Sequence, residues 1–150
     1  MNGQNVDELK NQLHEQQKLQ EIARGFRKSQ ILLTCLELGI FDELAKCDST
    51  SQVIAKKIRT DPRATELLLN AAVSLGFLEK EFDVFKNSLL ANSFLTTASP
   101  DSISQNLRLN SAFYQRWTHL LEAVRSGKRP EENRLDERPE NWIRNFTYSL

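Results

Sequence analysis

Apolar positions in the first 28 residues fall at Val6, Leu9, Leu13, Leu19, Ile22 and Phe26, with Gln16 interrupting the series. Spacings of three and four residues predict a helix with one modest apolar face and a remainder of Glu, Gln, Lys and Asn. So narrow a stripe cannot hold a helix in water by itself, so the helix needs a surface to lie on, either its own domain or a second copy. Gly25 marks a break or a close approach. The next series, Phe26, Ser29, Leu33 and Leu36, predicts a helix ending at Gly39, a residue suited to a left-handed C′ position. Ile40, Phe41 and Leu44 predict a short helical turn of core residues. Thr50 is placed to N-cap a helix through Ile54, Ala55 and Ile58. Asp61 before Pro62 marks another start, a capping carboxylate with proline at the first helical position. That helix is predicted to run inward-facing through Ala64, Leu67, Leu68, Ala71 and Leu75 to Gly76.

After Gly76 the pattern turns to near alternation. Residues 77–86 read Phe-Leu-Glu-Lys-Glu-Phe-Asp-Val-Phe-Lys, which predicts a small two-stranded hairpin. Three helices followed by a hairpin is the order of a winged helix-turn-helix. The predicted fold class is therefore mainly α, with a β-hairpin wing and extra N- and C-terminal helices. Asn87 or Ser88 caps a short helix to Leu95. Ser99-Pro100 predicts the opening of a long helix with Ile103, Leu107, Tyr114, Trp117, Leu121 and Val124 inward, closed by Gly127 and Pro130. The charged, proline-bearing stretch 128–140 reads as a linker, and a final helix begins after Pro139. The predicted organisation is one domain over 1–127, a linker over 128–140 and the first turns of a helix over 141–150.

Composition narrows the class without naming a function. The 150 residues suit a single domain, and 39 % hydrophobic with 27 % charged residues is too apolar for a disordered tail. Lys+Arg and Asp+Glu balance at 20 each, which excludes a strongly basic nucleic-acid binder or a polyacidic tail while leaving local patches. The longest apolar stretch, Ile31 to Phe41, is broken by Thr34 and Glu37, so no membrane span is expected. The N-terminus has no apolar core behind a basic start, so no signal peptide is expected either. Cys35 and Cys47 lack CxxC spacing and read as reduced thiols of a cytoplasmic protein.

Candidate chemistry is sparse. Gly3, Gly25, Gly39, Gly76 and Gly127 never cluster, whereas a phosphate or dinucleotide cradle needs neighbouring glycines for close backbone approach. No cofactor site is expected in this chain. His14 and His119 have no Cys, Asp or Glu partners at metal-ligand spacing, so no metal site is assigned. The serines lack a strand-to-helix elbow and a His/Asp pattern, so no catalytic residue is assigned. Aromatics do concentrate: Phe113, Tyr114 and Trp117 crowd one helix, and Trp142, Phe146 and Leu150 follow at i, i+4 and i+8. Core packing and a ligand pocket both account for such a row.

A winged helix suggests DNA binding, and the charges test that reading. Lys56, Lys57, Arg59 and Arg63 face only Asp61 within residues 51–65, a basic patch. The wing carries Glu79, Glu81 and Asp83 against Lys80 and Lys86, the wrong sign for a phosphate backbone. Arg63, Thr65, Glu66, Asn70 and Ser74 on the candidate recognition helix are a thin set for base edges. A transcriptional regulator using the basic patch is the alternative reading, and a solvated helix face is the simpler account of the lysines.

Three ordered motifs carry a resemblance. Residues 25–34 (Gly-Phe-Arg-Lys-Ser-Gln-Ile-Leu-Leu-Thr) with Glu37-Leu38-Gly39-Ile40-Phe41-Asp42 form the first. Asp61-Pro62-Arg63-Ala64-Thr65 with Leu75-Gly76-Phe77-Leu78-Glu79 form the second, and Trp117-Thr118-His119-Leu120, Glu122-Ala123-Val124 and Gly127 the third. From about residue 20 onward the chain resembles the N-terminal dimerisation domain of S-adenosylmethionine-dependent O-methyltransferases of the plant phenolic, hydroxyindole and bacterial polyketide type. The resemblance implies a domain that intertwines with a second copy, or with a full-length relative, and closes one wall of an acceptor pocket rather than binding nucleic acid or membrane. The terminal stripe Val6, Leu9, Leu13 and Leu19, with Phe26, lacks an obvious intrachain counterpart and is the expected dimer interface. The implied pocket residues are Phe113, Tyr114, Trp142, Phe146 and Leu150. Leu150 departs from the methionine that often ends the row, and Trp142 is bulkier than the usual phenylalanine. The acceptor implied for the full enzyme is a small hydroxylated aromatic or polyketide-like molecule, and the donor is S-adenosylmethionine. The donor loop and the catalytic histidine are implied to belong to a Rossmann-like domain following Leu150, so His119 does not take that role.

Overall fold

A computed structural model of the chain describes residues 3–128, with side chains from Glu8 onward. The order of elements is α1 (Gly3–Arg24), α2 (Phe26–Glu37), α3 (Ile40–Lys46), β1 (Ser49–Thr50), α4 (Ser51–Ile58), α5 (Pro62–Ser74), β2 (Leu78–Glu81), β3 (Val84–Asn87), α6 (Leu89–Phe94), α7 (Ser104–Trp117) and α8 (Leu120–Ser126). The fold is mainly α and winged-helix-like. α4 and α5 lie together as the helix-turn-helix, and α5 leads into the antiparallel pair β2–β3.

Local chemistry sets most of the boundaries. Gly39 sits at φ +68°, a left-handed conformation that ends α2 and turns the chain straight into α3. The Asp61 side chain accepts a hydrogen bond from the Ala64 N–H at 2.7 Å, with Pro62 beginning α5. Of the two cap candidates before α6, Ser88 takes the role, its hydroxyl accepting from the Ala91 N–H. The core forms where α2, α3, α4, α5 and the sheet meet, around the buried residues Leu36, Ile40, Phe41, Ile54, Leu69, Leu78 and Phe85. Phe41 and Phe77 meet edge-to-face with ring centroids 6.5 Å apart, and the buried Asn87 amide donates to the Phe41 carbonyl at 2.9 Å. The Asp42 carboxylate accepts from both the backbone N–H (2.7 Å) and the hydroxyl (2.9 Å) of Thr97, tying the segment after α6 back to α3.

The structure corrects the sequence reading at three places. The sheet has three strands, in the order β1-β3-β2, because Ser49 and Thr50 pair with Phe85 and Val84. The buried face of α5 is carried by Thr65, Leu69 and Ala72, one position on from the expected Leu67–Leu68 stripe; Leu67 is exposed and Leu68 only partly buried. The Thr65 hydroxyl fits this interior by bonding to Thr60 Oγ1 at 2.6 Å and the Asp61 carbonyl at 2.8 Å. The third correction is the long helix. It does not open at Ser99-Pro100, since the Ser99 hydroxyl donates to the Ser93 carbonyl and the Ile103 N–H to Phe94, holding a turn until Ser104. It is also broken at Thr118–His119. There the Thr118 hydroxyl takes the Gln115 carbonyl at 2.6 Å, and the His119 N–H bonds three residues back to Arg116. A threonine hydroxyl competing for helix carbonyls is a known source of such breaks. The linker beyond Lys128 and the helix after Pro139 lie outside the described residues.

Candidate dimerisation and acceptor-wall surfaces

Several elements leave apolar side chains uncovered, and two of them stand at the ends of the described residues. Every described side chain of α1, from Glu8 to Arg24, is exposed, and Ile22 shows 72 % of its surface. Leu9, Leu13, Leu19 and, at the start of α2, Phe26 are exposed as well; Val6 lies in α1, but its side chain is outside those described. The sequence reading gave α1 one apolar face. At about 100° per residue, Leu9 and Leu13 cluster in one direction while Leu19, Ile22 and Phe26 cluster about 130° away. α1 thus carries two half-stripes whose phase slips at Gln16.

The second element is the end of α7 with α8. The expectation that Trp117, Leu121 and Val124 point inward fails: they are exposed by 67 %, 63 % and 73 %, and α8 buries no residue. Ile103 is exposed too, whereas Leu107 and Tyr114 are partly buried. Leu109, buried on α7, was not singled out from the sequence. Of the expected pocket residues, Phe113 is 37 % exposed, with the Arg116 guanidinium 5.6 Å from its ring centre, and Tyr114 lies beside it in the chain. Trp142, Phe146 and Leu150 lie outside the described residues, so the pairing of the two aromatic groups is not seen. A depression of about 160 Å³ lies here, lined by Arg116, Trp117, His119, Leu120 and Ala123. Small-molecule pockets commonly measure about 300–1,000 Å³, so this depression is smaller than a usual ligand site, and neither Phe113 nor Tyr114 lines it.

Electrostatics separate these surfaces from the helix-turn-helix. On the wing, Lys86 pairs with Glu79 at 3.2 Å, which holds the lysine above its ordinary pKa. Lys80 folds back to Asn70 at 3.1 Å and over the Phe85 ring. The wing tip is left to Glu81, Asp83 and a Phe82 that is 90 % exposed, a surface that repels phosphate. In the basic patch, Lys57 lies 3.7 Å from Glu43. The Glu43 carboxyl is held below the usual carboxylate range, first by its hydrogen bond to Lys46 and then by the charges of Lys46 and Lys57. Thr65, one of the candidate base-reading residues, is buried.

Cofactor and metal chemistry find no cradle among the described residues. Gly39, Gly76 and Gly127 have positive φ and serve helix ends, and none stands between a strand and a helix as part of a phosphate loop. No three His, Cys, Asp or Glu side chains gather around a metal-sized space among the described residues. Cys35 is buried, with its thiol pushed up to about 12 by that burial, and Cys47 is exposed; both are free.

Comparison with known proteins places the chain in a family. Residues 20–97 match the family model of the O-methyltransferase dimerisation domain. Acetylserotonin O-methyltransferase of Homo sapiens is 38 % identical over 117 residues, covering 73 % of this chain and 34 % of the relative. The 3-hydroxy-5-methyl-1-naphthoate 3-O-methyltransferase of Streptomyces sahachiroi is 30 % identical over 141 residues, covering 87 % of this chain and 41 % of the relative. The crystal structure of human N-acetylserotonin methyltransferase in complex with SAM superposes with a TM-score of 0.71 at 31 % identity, over 89 % of this chain and 41 % of that one. The chain thus spans between a third and two fifths of the length of these relatives. Sequence and fold together show that it belongs to the O-methyltransferase dimerisation-domain family.

Proposed function

We propose that this chain self-associates as a homodimer and serves an S-adenosylmethionine-dependent O-methyltransferase as its dimerisation domain and as one wall of its acceptor pocket. The observation that carries the reading is α1, whose described apolar side chains are all exposed. A helix of this composition is marginal unless another surface covers it. Phe113 and Tyr114 supply the acceptor wall from α7, and Trp142, Phe146 and Leu150 complete it from the segment that follows. The acceptor is a small hydroxylated aromatic or polyketide-like molecule, a class matched by flat aromatic side chains. Donor binding and proton removal fall to a separate methyltransferase domain, because no described residues here cradle the donor. No helix among the described residues is long and apolar enough to cross a membrane, and with both cysteines free we assign the protein to the cytoplasm.

Calorimetric titration tests the division of labour. The 150-residue chain alone is expected to show no heat of binding with S-adenosylmethionine; micromolar affinity would refute it. In the full-length enzyme, Trp142→Ala is expected to change acceptor preference more than donor affinity.

A further inference from the structure

Gly39, Gly76 and Gly127 take left-handed torsions that a side chain resists. Gly25, between α1 and α2, does not: its torsions are helical, φ −54° and ψ −35°. A Cβ there would meet the Glu21 and Ile22 carbonyl oxygens at 3.4 and 3.5 Å, ordinary contact distances. Neither conformation nor space within the chain requires a glycine at this position. Glycine weakens a helix interior relative to alanine, because more backbone freedom has to be frozen. The junction shows that weakness: the Gly25 N–H reaches the Ile22 carbonyl, three residues back, at a long 3.3 Å. No described side chain of α1 is buried, so nothing in the core fixes its angle to α2.

Because Gly25 keeps helical torsions, the helical phase carries across it. At about 100° per residue, Gln17, Glu21, Arg24 and Lys28 fall within one face about 60° wide, opposite Leu19, Ile22 and Phe26. Those four polar residues line an open cleft of about 570 Å³ beside Gly25. Glu21 and Lys28 stand on either side of the glycine, seven residues and about 10 Å apart along a straight helix. Neither takes part in an ion pair among the described residues.

We propose that Gly25 is a hinge on which α1 turns toward this cleft, and that a Glu21–Lys28 ion pair across the bend holds the closed position. Small residues at the end of an element commonly absorb such a change of torsion. Closing toward the polar face keeps Leu19, Ile22 and Phe26 on the outside of the bend, available to whatever covers them. The motion belongs to the single chain and does not depend on the homodimer proposed above.

Single-molecule energy transfer on the intact chain tests this. Dyes are placed at Lys10→Cys in α1 and Arg63→Cys in α5, on a Cys47→Ser background. The labelled chain is mixed into a micromolar excess of unlabelled chain, so that its usual association is kept. A second pair, Arg63→Cys with Asn106→Cys, lies within the body and reports that the fold is intact. The expected result is two efficiencies for the α1 pair, one for the body pair, and a single α1 efficiency in Gly25→Ala. Gly25→Ser repeats the test should the alanine variant misfold. Lys28→Glu is expected to lower the closed-to-open ratio about 2- to 5-fold, the scale of an exposed ion pair, and adding Glu21→Lys is expected to restore it. A single efficiency in the parent overturns the hinge, and so do two efficiencies that persist in Gly25→Ala. A ratio indifferent to Lys28→Glu overturns the closing pair. If the parent shows one efficiency and Gly25→Ala loses the dimer in light scattering, the glycine serves the close approach of a second copy; the hinge then falls while the homodimer stands.

Discussion

Identical side chains in this fold meet opposite fates, and their surroundings decide which. Phe41 is buried in the core against Phe77, while Phe82 stands at the wing tip with φ +54° and 90 % of its surface in water. Truncating a buried phenylalanine commonly costs about 3–5 kcal/mol, because both transfer energy and packing are lost. Phe41→Ala is expected to fall in that range by chemical denaturation. Phe82→Gly is expected to stabilise by about 1 kcal/mol, since glycine removes the left-handed strain and little buried surface is lost. The cysteines divide in the same way. With its thiol pushed up to about 12 by burial, Cys35 stays protonated and shielded at pH 8, whereas Cys47 is exposed. Iodoacetamide on the native protein is expected to label Cys47 alone, and mass spectrometry of the digest would show it; labelling of Cys35 before unfolding would contradict the core as described.

Where elements begin and end was legible wherever the signal is local. Asp61-Pro62, Ser88 and Gly39 act through bonds and torsions within a few residues, so the sequence displays their work directly. What escaped had more than one cause. β1 is two residues long, and its identity as a strand comes only from pairing with Val84 and Phe85 far along the chain. Thr118 looks like any helix-tolerant threonine, and only the structure shows its hydroxyl on the Gln115 carbonyl at the step from α7 to α8. The slip between the α1 half-stripes was hidden for another reason: three-and-four spacing looks regular on either side of Gln16, and only the summed angle exposes the change of direction. A prediction belongs at this scale too. Arg59 closes α4 in the left-handed conformation at φ +58° with its side chain exposed. Arg59→Gly is expected to raise stability by about 1 kcal/mol in thermal or denaturant unfolding, and a loss of that size would show that the arginine side chain holds the turn.

At the scale of the whole molecule, the fold completes its core in α2 to α6 and leaves its two ends unfinished. The sheet and helix-turn-helix bury Phe41, Phe85 and Leu69, yet α1 buries no described side chain and α8 buries none. Such an arrangement suits a domain whose ends fold onto something else, and membership of a dimerisation-domain family supports the self-association proposed above. Of the residues proposed for the acceptor wall, Phe113 and Tyr114 lie on α7, and Trp142, Phe146 and Leu150 lie outside the described residues. Obligate homodimers of this kind commonly bury more than about 2,000 Å², enough that dissociation and unfolding become hard to separate. Deleting residues 1–20 removes both Leu9 and Leu13 and most of α1, so it is expected to weaken the dimer or unfold the chain. The most direct test is light scattering after gel filtration of the intact chain at micromolar concentration. A mass of twice the 17.3 kDa chain is the result this account predicts; a clean monomer that keeps its helical circular dichroism would contradict it.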